Sequence, residues 1–245
     1  MAVVVGLAGA IAVSWLYLVP ASRDMYGAMD GLSAWMMEGS WDARYFLLIF
    51  LMWGVMMVGM MLPSAAPTAL LFATVLRKSD PRNAPVARTY AFVGGYLLAW
   101  TGFSLAATLL QWVLAKTALL SPMMITTSPT LGALILIAAG IYQWAPLKQS
   151  CLTRCRAPAD FISRSFRPGI TGALRMGAWH GTYCVGCCWV LMLLLFFGGV
   201  MSLTWIAAIT IFVLLEKAAP LGAQGGRLSG VLLALAGVAV LVLKR

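Results

Sequence analysis

Long apolar runs follow one another along this chain with little polar sequence between them, and that pattern leaves few folds open. The runs cover Ala2–Val19, Tyr45–Leu76, Thr89–Ala115, Pro129–Trp144, Trp179–Val200, Ser202–Leu215 and Leu228–Leu243. A helix crosses a bilayer with about 20 apolar residues, and inside lipid only helices and closed barrels satisfy their own backbone polar groups. Charged residues make up 10% of the 245, where a soluble domain carries about 25%. The expected fold is therefore all-α: one polytopic transmembrane bundle of about six or seven spans, with residues 1–245 forming a single integral membrane domain. The first run has no basic lead and no A-x-A-like cleavage site, so it reads as a retained span.

The polar intervals set the expected topology. Ala21–Arg44 holds Asp24, Asp30, Glu38 and Asp42, four of the seven acidic residues, together with Met25, Met29, Met36 and Met37. Basic residues gather in about 77–88 (Arg77, Lys78, Arg82, Arg88) and about 147–168 (Lys148, Arg154, Arg156, Arg164, Arg167). By the positive-inside bias both basic loops face the cytoplasm, and alternation then leaves the acidic, Met-rich loop outside. The same alternation puts the Lys244-Arg245 tail outside, against the bias. The net charge of +10 thus answers to anionic lipid, and no nucleic acid is expected as a partner. Pro63 is expected to kink the second run, and Gly94-Gly95, Gly198-Gly199 and Gly225-Gly226 to allow close helix approach or bends.

Three groups of residues carry chemistry. The first is His180-Gly-Thr-Tyr-Cys184-Val-Gly-Cys187-Cys188, with the sole histidine and three of the five cysteines. On a helix these four side chains fall within an arc of roughly 100°. They also span about 12 Å of axis, so one ion can be shared by a pair four apart, His180 with Cys184 or Cys184 with Cys188. The second is a methionine stripe, Met52, Met56 and Met60, with Met57 and Met61 beside it; contact between runs two and five would bring thioethers to thiols. The third is Cys151 and Cys155, one helical turn apart among arginines that favour the thiolate. Thiolates, thioethers and imidazole suit Cu(I) first and Zn(II) second. The competing reading takes buried cysteines and methionines as core filling and His180 as an interhelical donor. Glu216 beside Lys217 reads as an interfacial charge couple, or more sharply as a carboxylate near the site.

No nucleotide-binding, hydrolase or zincin motif is present, so ATP-driven chemistry within the chain is not expected, nor is an enzyme the first choice. The leading function is Cu(I) transport or delivery to a cuproprotein or from a metallochaperone. The alternatives are a membrane thiol–disulfide oxidoreductase, with Cys184, Cys187 and Cys188 exchanging with Cys151 and Cys155, and an accessory subunit of a larger membrane complex.

The motifs taken in order, Met52-Trp-Gly-Val-Met56-Met57-Val-Gly-Met60-Met61-Leu-Pro63-Ser64, Cys151-Leu-Thr-Arg-Cys155-Arg-Ala-Pro158, Gly181-Thr-Tyr-Cys184-Val-Gly-Cys187-Cys188-Trp and Glu216-Lys217, resemble a bacterial family of predicted metal-binding integral membrane proteins, a domain of unknown function. The resemblance spans roughly residues 45 to 220. It implies a multi-pass protein of the bacterial inner membrane with a metal site on the Met52–Met61, Cys151/Cys155 and His180–Cys188 positions.

Overall fold

The computed structural model describes residues 1–27, 31, 33–37, 40–79, 82, 84–220 and 222–243. Expectations resting on Met29, Asp30, Glu38, the Met37 side chain and the Lys244-Arg245 tail lie outside what is described. The described chain is helical, with no strand and a single isolated bridge between Leu120 and Thr126. The helices are α1 (Ala2–Met25), α2 (Ala43–Ser79), α3 (Pro85–Lys116), α4 (Pro129–Tyr142), α5 (Pro146–Arg156), α6 (Pro158–Ser165), α7 (Gly169–Gly198), α8 (Leu203–Ala218) and α9 (Gly222–Leu243), with a 3₁₀ turn over Ala34–Met37. Five of them, α1, α2, α3, α7 and most of α9, are long and apolar enough to cross a membrane. The pair α4 and α5, bent by 62°, makes a sixth if taken as one broken span. At 16 residues, α8 is shorter than a full crossing, so the seventh expected span is not matched by length.

Proline explains most of the departures from regular helix. Pro146 opens α5, and the residue before it, Ala145, is extended at φ −61°, ψ 135°. The fourth apolar run therefore stops at Tyr142, and the chain turns before the basic segment starts. In α2, Pro63 has no N–H for the Gly59 carbonyl, and that carbonyl accepts instead from the Trp15 indole of α1 at 3.2 Å. The Ser128 side chain caps α4 by accepting from the Leu131 N–H at 3.3 Å.

α7 runs through the middle, pressed most closely on α3. A Cβ on Gly177 would collide with the Phe92 carbonyl, and one on Gly95 would meet Ala178 N at 2.7 Å, so glycine lets the two backbones touch. The Gly-rich stretch 169–177 is therefore the opening of α7 and not a lead-in to it. Gly225 faces open space, whereas a Cβ on Gly226 would strike the Glu216 carboxylate.

Successive long segments alternate in direction. The Ala2 carbonyl accepts from Tyr90 Oη at 2.9 Å, so the N-terminus shares an end of the bundle with the 77–88 segment. At the opposite end Leu203 N donates to Ser22 Oγ at 3.1 Å. These are called here the basic end and the Trp41 end.

Candidate metal centre

The expectation of a loop over 147–168 is corrected: the segment is two helices, α5 and α6, and α5 folds into the bundle. Lys148 is fully buried and donates to Glu216 Oε2 at 2.8 Å and to the Cys187 carbonyl at 3.2 Å. Cys151 packs on α7 where Gly186 leaves room, its Sγ 2.8 Å from where a Gly186 Cβ would stand. Cys155, one turn further on, lies in the same buried core as Cys187. Both thiols are 9% exposed, so they belong to the core and not to a surface loop. The nearby arginines are engaged elsewhere. Arg154 donates to Tyr183 Oη at 2.9 Å, and Arg156 donates to the carbonyls of Glu216 and Ala219 at 2.6 and 2.8 Å, closing the end of α8.

α7 carries the first group. Cys184, Cys187 and Cys188 are buried, and all five cysteines of the chain are free thiols. The Cys187 thiol donates to the Cys184 carbonyl at 3.2 Å and its sulfur lies 3.2 Å from that of Cys188, contact without a disulfide. Cys184 lies in the same buried core as these two thiols. The ring of His180 is enclosed by Phe161, Phe92 and Tyr96, with centroids at 5.0, 5.9 and 5.9 Å. Its Nδ1 is buried with no hydrogen-bond partner.

Cys184 is where four helices meet. Lys217 of α8 donates to Cys184 Sγ at 2.8 Å and to Ser64 Oγ of α2 at 3.1 Å. Tyr96 of α3 places its hydroxyl 3.1 Å from Cys184 Sγ and donates to the Met61 carbonyl at 3.0 Å. The interfacial Glu216–Lys217 couple is thus corrected. Adjacent helical residues point about 100° apart, and the two side chains serve different partners.

The methionine stripe is buried throughout: Met52, Met56, Met57, Met60 and Met61 are each at most 2% exposed. They share one apolar core with Cys151, Cys155, Cys184, Cys187 and Cys188. Near Cys184, α2 and α7 communicate through Tyr96 and Lys217; toward the Trp41 end they touch directly, Trp53 against Phe196 at 5.6 Å. Among the described residues, no three His, Cys, Asp or Glu side chains converge as one metal-holding group. The buried donors brought together are thiols and thioethers, ligand types that soft ions take in preference to oxygen.

Tyr96 did not emerge from the motifs, Lys148 was read only as part of a basic loop, and Ser64 and Lys217 stood in motifs without a role at Cys184. One signal was available: charged residues embedded in apolar sequence are expensive in lipid and commonly point into the bundle.

The profile of a family described as PpoB2, copper chaperone, matches residues 50–240. No curated protein and no solved structure matches the chain.

Proposed function

We propose, for a chain that belongs to the PpoB2 copper-chaperone family, that it is a membrane-embedded handler of Cu(I), which it takes as cargo between Cys184 and Cys188 and passes to a cuproprotein. One observation carries the reading: Lys217 donates to Cys184 Sγ at 2.8 Å inside a buried group of thiols. A monovalent copper ion held by two thiolates bears a single negative charge, and one ammonium group balances it. Zn(II) on the same two thiolates is already neutral, and Lys217 would then be an uncompensated, half-buried cation. Cys187, donating to the Cys184 carbonyl, serves as a neutral thiol beside the pair. The α2 thioethers, the His180 imidazole and the Cys151–Cys155 pair supply further soft stations, weak enough individually for an ion to move on.

The body is one integral membrane domain, proposed for the bacterial inner membrane. Arg77, Lys78, Arg154, Arg156 and Arg164 support a basic end facing the cytoplasm, with the Trp41 end outside.

Elemental analysis of the reduced, anaerobically purified chain in mild detergent tests this, with Cys184→Ser and Cys188→Ser beside it. About one tightly held copper per chain, lost in both variants, is expected. Equal copper in all three proteins, or none in any after Cu(I) is added, removes the reading; thiol trapping would then show whether the cysteines exchange disulfides.

A further inference from the structure

At the Trp41 end a cavity of about 350 Å³ opens between the 3₁₀ turn, the start of α2, the end of α3 and the segment 117–128. Its walls include Met36, Trp41, Tyr45, Gln111, Lys116 and Met124. The two methionines come from segments far apart in sequence, and each is 2% exposed. Met124 sits at φ +56°, the left-handed region that a bulky side chain rarely adopts. The conformation is fixed on both sides: Met124 N donates to the Ser121 carbonyl at 2.8 Å, and its own carbonyl accepts from Val200 N at 3.3 Å. Strained residues of this kind cluster where a side chain must be held in one place. Met36 is held as well, its carbonyl accepting from Tyr45 Oη at 2.8 Å.

We infer that Met36 and Met124 form a second soft-metal site, the port through which a monovalent cation such as Cu(I) or Ag(I) enters or leaves at the Trp41 end. The cavity's chemistry selects the class of ion. None of its described lining residues is a carboxylate, so Ca(II) or Mg(II) finds no anionic oxygen among them. Thioethers, by contrast, bind soft cations and need lose no proton to do so. Beneath the cavity Trp53 Nε1 donates to Gln111 Oε1 at 2.8 Å and closes the floor. From that level Met52, Met56 and Met60 descend in steps of about 6 Å toward the depth of Met61, whose carbonyl Tyr96 joins to Cys184.

This port rests on the copper reading above, and one titration separates the two. The full-length reduced chain in detergent is titrated with Ag(I) against a competing chelator, beside Met36→Leu/Met124→Leu and, separately, Cys184→Ser. Leucine conserves volume closely, and the single changes stand in if the double variant does not fold. The double variant should lose one Ag(I), or bind it about tenfold more weakly, and keep the Cys184-dependent ion. Cys184→Ser should show the reverse. Unchanged Ag(I) binding in the methionine variants overturns the port even if the cysteine site stands. Unchanged binding in Cys184→Ser overturns the central site and leaves the port. No Ag(I) bound by the unaltered chain overturns both.

Discussion

Either side of Cys187 the bundle holds one lysine, Lys148 fully buried and Lys217 half-buried, and the two are matched differently. Toward α4 and α9, Lys148 meets Glu216 Oε2 at 2.8 Å, cation against carboxylate, with both side chains 1% exposed. Toward α2 and α3, Lys217 meets Cys184 Sγ at 2.8 Å and the neutral Ser64 hydroxyl. The first pair is balanced whatever else the protein binds. The second is balanced only when Cys184 carries a negative charge, which is also the form in which a thiol takes a metal. The first lysine therefore reads as structural, tying α5 to α8, and the second as a partner of the site. Removing each tests the distinction.

The largest effect is expected at the structural pair. Lys148→Met leaves Glu216 buried without its cation and should cost about 3–5 kcal/mol. Unfolding in detergent measures it. Lys148→Met/Glu216→Leu should recover most of that loss, because the isolated charge, and not the missing bridge, is what destabilises. Lys148→Met molecules that remain folded should retain copper. Loss of copper with no loss of stability would reverse the roles of the two lysines.

The bundle was legible because apolar runs and proline positions act locally. Pro129 opens α4 where the fourth run was expected to start, and the runs containing Met52 and Cys184 appear as α2, wider at both ends, and α7, wider at its start. Cys184 and Cys188 stood out for the same local reason, one helical turn apart. Lys148, Cys151 and Cys155 were misplaced because a basic segment between apolar runs reads as interfacial loop. What carries them inward is the 62° bend after α4, a tertiary feature that periodicity does not encode. The separate partners of Glu216 and Lys217 were half legible. The spacing forbids their pairing with each other, but which helix each one meets depends on how α8 is rotated against α2 and α7.

At the second lysine the expected loss is in affinity. Lys217→Met should weaken Cu(I) binding about 10–100-fold, the usual cost of removing a group that holds a metal ligand. It should change stability less than Lys148→Met does. A competition titration with a Cu(I) chelator gives the first quantity and the same unfolding assay the second. Equal destabilisation by both substitutions, with copper affinity intact at Lys217→Met, would make the two lysines one kind of residue.

The smallest effect is expected at Tyr96, and it tests the same site from α3. Its hydroxyl has one proton and two claimants: it donates to the Met61 carbonyl at 3.0 Å and lies 3.1 Å from Cys184 Sγ. While Cys184 is a thiol, its own S–H can satisfy the tyrosine oxygen. Once the sulfur is a metal-bound thiolate that donor is gone, and the hydroxyl can turn its proton from Met61 toward the sulfur. The Met61 carbonyl is not stranded by this, because Ser64 Oγ donates to it at 2.9 Å. Tyr96→Phe keeps the ring against His180 and removes only the hydroxyl. It should lower stability by about 1 kcal/mol and weaken Cu(I) by less than Lys217→Met does. A larger copper loss at Tyr96→Phe than at Lys217→Met would mean that the tyrosine hydroxyl, and not the lysine, governs the charge on Cys184.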